Sequence, residues 1–293
     1  MEKKSMNLYA YPGDFPFWIQ RNRHDIRDMP GMHTHEFVEL IYVTEGRATH
    51  LFQDISYEIR AGDVFVINPG EMHGYAGEPD QHIEIVNCLF EPGFIQTSLL
   101  RELNISDSLD FFYVQPFFQK ETRFHHKLNL RGTEAADIMD ILEHIHAEMG
   151  RRRPGFRPLI QLKMIELFIL LSRYYNERKT NAGSVPPGEL LVLRVCGYVD
   201  RHYNEKLTLP LFSELFHIGV RQLNRYFNRY VGCSVIEYVH RIRMEKAKRL
   251  LAETGEKIVV VAEMVGYEDP AFFSKLFTRT VGFSPGKYRE ANR

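Results

Sequence analysis

Arg225-Tyr-Phe-Asn-Arg-Tyr-Val-Gly-Cys-Ser-Val-Ile-Glu-Tyr238 and Lys275-Leu-Phe-Thr-Arg-Thr-Val-Gly-Phe-Ser-Pro-Gly-Lys-Tyr288 are one segment written twice, fifty positions apart. In register, the pairs Phe227/Phe277, Arg229/Arg279, Val231/Val281, Gly232/Gly282, Ser234/Ser284 and Tyr238/Tyr288 are identical. Chance rarely aligns so many positions of mixed chemistry, so the repeat marks a duplicated structural unit.

The unit reads as two helices and a tight turn. In the second copy the apolar run Ile258 to Val265 predicts a short helix, stopped at Gly266. Asp269-Pro270 then supplies an N-cap carboxylate and a proline at the first helical position. Phe273, Leu276 and Phe277 follow at helical spacing and should point inward. Gly282 closes that helix, and Ser284-Pro285 opens the next. The first copy starts with Leu209, Leu211, Phe212, Leu215 and Phe216. Gly219 stands there as a weaker cap in the slot of Asp269, and Leu223, Tyr226, Phe227 and Tyr230 form the inward stripe.

Two helices joined this tightly suit insertion of the second into a DNA major groove. The outward positions of the first unit are Arg221, Asn224, Arg225 and Asn228, with Gln222 and Arg229 beside them. Arg pairs bidentately with guanine and Asn with adenine, the chemistry a base-reading face needs. The matching face of the second unit is Ala271, Ser274, Lys275 and Thr278, with Arg279 beside it. It has fewer bidentate donors and is expected to contact mainly phosphate.

Charge follows the same division. From Leu190 onward there are seventeen Lys and Arg against eleven Asp and Glu, whereas residues 1–189 hold 20 and 27. A chain of net charge −1 is thus a basic C-terminal part joined to an acidic N-terminal part. The helix expected over about Val235 to Leu251 carries Arg241, Arg243, Lys246, Lys248 and Arg249, and Arg241 and Arg243 are assigned to the phosphate backbone between two grooves.

From about residue 190 to 293 the chain resembles the DNA-binding domain of AraC/XylS-type transcription regulators. The likeness rests on Leu207-Thr-Leu209, Phe216-His-Ile218, Leu223-Asn-Arg-Tyr-Phe227 and Tyr238-Val-His-Arg-Ile-Arg-Met-Glu-Lys-Ala-Lys-Arg-Leu-Leu251. It continues through Val261-Ala-Glu-Met-Val-Gly-Tyr267, Phe273-Ser-Lys-Leu-Phe277 and Gly282-Phe-Ser-Pro-Gly-Lys-Tyr-Arg289. The resemblance implies a sequence-specific regulator, an activator or a repressor, that enters adjacent major grooves of double-stranded DNA. It further implies base-reading positions at Arg221, Asn224 and Arg225, and at Ala271, Ser274 and Lys275. A homodimer and contact with RNA polymerase belong to the same implication.

The N-terminal part is of another kind. Phe37–Val43, Ala48–Phe52, Tyr57–Ile59, Val64–Ile67 and Ile83–Phe90 read as short strands, with turns at Glu45-Gly46, Gln53-Asp54, Ala61-Gly62-Asp63 and Pro69-Gly70. A small β-barrel or double-sheet jelly roll is expected. His33-x-His35-x-x-x-Glu39, Gly46, Gly62-Asp63, Pro69-Gly70 and His73 resemble the two motifs of the cupin family. In one regular strand His33, His35 and Glu39 share a face. In cupin enzymes those positions and the later His bind metal. In sugar-sensing regulators the same cavity holds the inducer. His33, His35, Glu39 and His73 are therefore assigned to a small polar effector, with a sugar as its class; no cofactor and no enzymatic activity are expected. The alternatives are a cupin metalloenzyme carrying a DNA-binding tail and an effector-independent DNA binder. Trp18, Tyr11, Pro12, Pro16, His50, His82, His125 and His126 are given packing or solvated roles.

The fold class is thus α+β multidomain: a cupin-like β-barrel (jelly roll) with a helix pair, then an all-α domain with two helix-turn-helix units. Residues 1–130 are assigned to effector binding, 131–176 to a helical dimerisation region, 177–188 to a linker and 189–293 to DNA binding. Thr133–Met149 places Ala136, Met139, Leu142, Ile145 and Met149 on one stripe, and Leu159–Tyr175 is apolar nearly all round. The polar, Pro- and Gly-containing linker predicts domains that move relative to one another. No signal-peptide core follows the N-terminal residues, the apolar stretch around Met164–Leu171 is too short to span a bilayer, and Cys88, Cys196 and Cys233 lack metal or redox spacing. A cytoplasmic protein without a membrane partner is expected.

Overall fold

The computed structural model describes residues 2–6, 9, 15–25, 27–78, 81–103, 105, 128–179 and 186–292. Tyr11, Pro12, His125, His126 and positions 180–185 of the expected linker lie outside them. The chain divides into two compact units, Met1–Ser184 and Val185–Arg293, with the division inside that linker.

The first unit holds strands β1 (Glu2–Lys4), β2 (Phe17–Asp25), β3 (His33–His35), β4 (Val38–Phe52), β5 (Ile55–Arg60), β6 (Asp63–Ile67), β7 (His73–Ala76), β8 (His82–Phe90) and β9 (Leu128–Asn129). Two sheets share β4. Its first half lies between β8 and β6, giving the order β2-β8-β4-β6-β9. Its second half lies between β7 and β5, giving β1-β3-β7-β4-β5. This is the double-sheet form of the expected β-domain, and among the described residues it does not close into a barrel.

Two strand expectations are corrected, and one strand is added. The turn at Glu45-Gly46 is a bulge instead: the register slips between Val43 and Glu45, and one fifteen-residue strand crosses from sheet to sheet. Gly46 sits at φ 79°, where a Cβ would meet the His82 carbonyl oxygen at 2.1 Å, so the crossing needs glycine. The single strand expected to carry His33, His35 and Glu39 is broken at Glu36-Phe37 into β3 and β4. Trp18 and the polar run after Ile19 belong to β2, which pairs along its whole length with β8.

Helix α1 (Thr97–Leu103) precedes the helix pair α2 (Thr133–Arg151) and α3 (Phe156–Lys179). The buried face of α2 is Ile138, Ile141, Leu142, Ile145 and Met149. Ala136, placed on the inward stripe by spacing alone, is exposed, and Met139 is only half-buried. On α3, Ile160, Met164, Ile165, Leu167, Phe168 and Leu171 are buried, while Leu159 and Leu162 keep 41% and 50% of their surface exposed.

The second unit contains α4 (Pro187–His202), α5 (Leu209–Leu215), α6 (Val220–Tyr230), α7 (Val235–Glu253), α8 (Ile258–Met264), α9 (Pro270–Val281) and α10 (Pro285–Ala291). Its helix ends follow the local chemistry. Ser234 and Glu237 form a capping box at α7, Asp269 accepts from the Ala271 and Phe272 amides at α9, and Ser284 accepts from Lys287 at α10. Gly282 ends α9 at φ 86°. Met244, Ala247, Leu251, Val261, Ala262, Val265, Phe273, Leu276 and Phe277 form one buried cluster that locks the second helix-turn-helix onto α7.

Candidate nucleic-acid interface and ligand cavity

Helices α6 and α9 are the second helices of the two repeated units. Leu223 and Phe227 anchor α6, and Phe273, Leu276 and Phe277 anchor α9. That leaves Arg221, Gln222, Arg225, Asn228 and Arg229 exposed on α6, and Ala271, Lys275, Thr278 and Arg279 exposed on α9; Ser274 is half-buried. Two arginines lie along neighbouring tyrosines: Arg225 Cζ is 5.6 Å from the Tyr226 ring centre and Arg229 Cζ is 5.4 Å from that of Tyr230. A guanidinium laid on a ring loses fewer rotamers when it meets a base edge.

Two expected contact residues are turned inward. Arg243 is buried: Nε donates to the Tyr203 carbonyl at 2.8 Å and Nη2 to the Glu205 carbonyl at 2.7 Å, with the guanidinium over the Tyr267 ring. A guanidinium spent on two main-chain oxygens does not neutralise a phosphate, so Arg243 is a tie between α7 and the α4–α5 connection. Gly266, at φ 84°, makes room for it; a Cβ there would lie 2.8 Å from Nη2. Asn224 is half-buried, and its Oδ1 accepts from the Val235 amide at 3.3 Å, at the start of α7. That bond uses one of the two lone pairs of the amide oxygen and fixes the side chain against the start of α7. On α7, Arg241 and Arg249 are exposed, whereas Lys246 pairs with Asp200 and Lys248 with Glu245.

The β-domain gathers the histidines. His35 and His73 bring Nε2 to 3.1 and 3.2 Å from the same Glu39 oxygen, Oε2. All three are buried. Burial pushes the Glu39 carboxyl upward, but the neighbouring His35 and His73 rings outweigh it and hold the carboxyl well below the usual carboxylate range. His33 lies alongside, its ring centre 4.4 Å from that of His73. Burial and the nearby His73 pull the His33 imidazole down to about 4. The break before β4 therefore leaves the parity intact: Glu39 still faces His35.

Sequence reading did not find the rest of this cavity. It has a volume of about 140 Å³ and includes Gln20 and Asn22 from β2, Tyr75 from β7 and Asn87 from β8. Asn87 donates to Glu39 Oε1 at 2.8 Å, while the Asn87 Oδ1 and the buried Tyr75 hydroxyl have no hydrogen-bond partner. A lone Asn in the apolar run Ile83–Phe90, and Tyr75 two residues after His73 on the same face, were the available signals. His50, assigned a packing role, is fully buried beside the rings of His73, Tyr75 and Tyr57 and bonds the Tyr57 hydroxyl. His82 pairs with Glu45 at the surface.

Comparison with known proteins decides the family. The family described as "AraC-like ligand binding domain" matches residues 17–168, more than half of the chain, and a "Helix-turn-helix domain" matches residues 212–291. The chain belongs to the AraC family of transcription regulators. It is a DNA-binding regulator with an AraC-like ligand-binding domain. Among its relatives, the HTH-type transcriptional activator RhaR of Klebsiella pneumoniae is 26% identical over 262 residues, covering 89% of this chain and 88% of its own. RhaR of Escherichia coli strain K12 is 26% identical over 270 residues, covering 91% and 89%. The C-terminal domain of AraT from Geobacillus stearothermophilus is 34% identical over 37% of this chain and 88% of its own, with a TM-score of 0.35. No described helix is long and apolar enough to cross a membrane.

Proposed function

We propose that the chain is an effector-gated transcription activator whose β-domain cavity takes a small polyhydroxylated molecule, a sugar by class. The observation that carries this reading is the cavity chemistry. The Tyr75 hydroxyl and Asn87 Oδ1 are buried without partners, and Gln20, Asn22, Glu39 and His73 surround them. A buried polar atom without a partner costs about 1–3 kcal/mol, which a ligand hydroxyl would recover. The activator role follows the RhaR relatives. The DNA face is Arg221, Gln222, Arg225, Asn228 and Arg229 of α6 with Lys275, Thr278 and Arg279 of α9. The functional form is a homodimer joined through the α2–α3 pair, where Leu159 and Leu162 are exposed. RNA polymerase is its partner at the promoter, its place is the cytoplasm, and it performs no catalysis.

The test is operator binding by fluorescence anisotropy with the full chain, across a panel of pentoses, hexoses and deoxyhexoses. One sugar should change DNA affinity at least several-fold, and Asn87→Ala should abolish that response while leaving sugar-free binding intact. DNA affinity identical across the panel, or a response unaffected by Asn87→Ala, sinks the reading. A ligand shifts such an equilibrium only by its differential affinity for the two states, so the fold-change measures that difference directly.

A further inference from the structure

We propose that Tyr226 is a positioning residue for base reading, a role that rests on the DNA face proposed for α6. Seated on Gly188 of α4, its ring holds Gln222 and Arg225 where they meet base edges. The seat is tight. Gly188 is the second residue of α4 and is buried. A Cβ on it would lie 2.9 Å from Tyr226 Cε1 and 3.1 Å from both Cδ1 and Cζ, so one edge of the ring rests against the bare α-carbon. Gly188 is helical and has no positive φ, so its backbone does not require glycine. Glycine is among the least favourable residues for a helix, and here the space taken by the ring requires it.

What the ring holds follows from helical spacing. Gln222 and Tyr226 are four positions apart and so are neighbours on one face of α6. Gln222 Nε2 donates to the Tyr226 hydroxyl at 3.1 Å. The amide keeps its second N–H and its Oε1, the donor and acceptor that pair with the N7 and N6 of adenine. The terminal torsion of a glutamine is otherwise broad, so the hydroxyl sets which way that pair points. Arg225 lies against the same ring, with Cζ 5.6 Å from its centre. Tyr230, one turn on, has its ring centre 6.4 Å from that of Tyr226.

Core packing alone does not account for this arrangement. Leu223 and Phe227 already anchor α6 with fully buried side chains, whereas Tyr226 is only half-buried. Its bond to the exposed Gln222 exchanges readily with water and contributes little to folding. The effect falls on DNA binding instead. A glutamine ordered only on meeting DNA loses rotamer freedom at that moment, and Tyr226 has ordered it beforehand. Removing such pre-ordering of one long side chain weakens binding about 2- to 10-fold. The hydroxyl acts on Gln222, while the position of the whole ring, set by Gly188, acts on Gln222 and Arg225 together.

The experiment is competition binding by the full-length chain. An operator is selected from randomised duplexes with the unmodified protein, and its single-base variants then compete for each variant protein. Tyr226→Phe keeps the ring on Gly188 and removes only the hydroxyl. It should leave the melting temperature and the salt slope unchanged and weaken operator binding about 2- to 10-fold. It should also relax preference at the same base pair that Gln222→Ala relaxes. The double variant should bind no worse than Gln222→Ala alone, because the hydroxyl acts through that amide. Gly188→Ala, whose Cβ displaces the ring, should relax that base pair and the one that Arg225→Ala relaxes. Unaltered base preference in Tyr226→Phe or Gly188→Ala, an equal loss on every sequence, or additive losses in the double variant would each overturn the positioning role and leave the DNA face standing. If Gln222→Ala and Arg225→Ala themselves relax no base pair, the DNA face and the role of Tyr226 fall together.

Discussion

Replacing Arg243 with Ala separates a structural arginine from a DNA-contacting one. The side chain makes two charge-assisted hydrogen bonds, to the Tyr203 and Glu205 carbonyls at 2.8 and 2.7 Å, and stacks on Tyr267 at 5.0 Å. A hydrogen bond to a charged group contributes about 1.5–3 kcal/mol, and a cation over an aromatic ring adds about 0.5–2 kcal/mol. Simple addition overstates the loss. Tyr203 and Glu205 are only half-buried, so water reaches both carbonyls once the guanidinium is gone. A destabilisation of about 3 kcal/mol is the resulting figure. For a unit of this size, Val185–Arg293, that lowers the melting temperature by roughly 10–20 °C.

The assay pairs thermal denaturation with the salt dependence of DNA binding, measured well below the lowered transition. Arg243→Ala should leave the slope of log K against log salt unchanged, because no phosphate contact is lost. The exposed Arg241→Ala should do the reverse: an unchanged melting temperature and a slope reduced by about 0.9. Gly266→Ala supplies a cross-check, since its Cβ would press on Arg243 Nη2 and the Tyr203 carbonyl at 2.8 Å. The two substitutions share one contact, so the double variant should lose clearly less than their sum. If Arg243→Ala keeps its melting temperature and loses a unit of salt slope, the buried tie does not exist and the residue belongs on the backbone.

Four further outcomes follow from the structure. Arg225→Ala should cost about 1–3 kcal/mol of operator binding and relax preference at one base pair, read by competition among single-substituted operators; an equal loss on every sequence would remove it from the base-reading set. Asn224→Ala should lower the stability of the folded chain by about 1 kcal/mol in denaturant unfolding, through the lost bond to the Val235 amide, and an unchanged midpoint would show that the bond contributes nothing. Burial raises the Cys88 thiol strongly and the Cys196 thiol to about 12, so both remain protonated at neutral pH; iodoacetamide on the native chain should alkylate the half-buried Cys233 alone, by peptide mass mapping, and early labelling of Cys88 or Cys196 would contradict the packing. Leu162→Glu on α3 should convert the proposed dimer to a monomer in light scattering at an unaltered melting temperature, whereas an unmodified chain that is already monomeric would refute the dimer.

The helical unit was legible because its determinants are local. Asp269, Ser284 and Ser234 cap helices within three residues of themselves, and Gly282 and Gly266 stop them at positive φ. Each signal survives without knowledge of what packs against it. Arg243 was misread for the converse reason. Its partners Tyr203 and Glu205 lie about forty positions upstream, and on α7 nothing local distinguishes it from Arg241 two residues earlier. The same limit explains α2, where two overlapping stripes both satisfy helical spacing. Only packing in the folded unit selects Ile138 and Ile141 over Ala136 and Met139.

Strand parity carried further than strand boundaries did, and the reason is physical. A side chain's face depends on counting by two, so a bend between His35 and Val38 that preserves the count leaves Glu39 facing His35. A boundary depends on pairing partners instead. Gly46 reads as a turn until β8 is placed beside β4, where the His82 carbonyl leaves no room for a Cβ and the strand passes through as a bulge. Asn87 and Gln20 escaped notice because β2 and β8 pair across more than sixty positions, and a polar residue in a strand declares its role only when the opposite strand is known. The cavity is therefore half-encoded in short spacing, through His33, Glu39, His73 and Tyr75, and half in long-range pairing, through Gln20, Asn22 and Asn87.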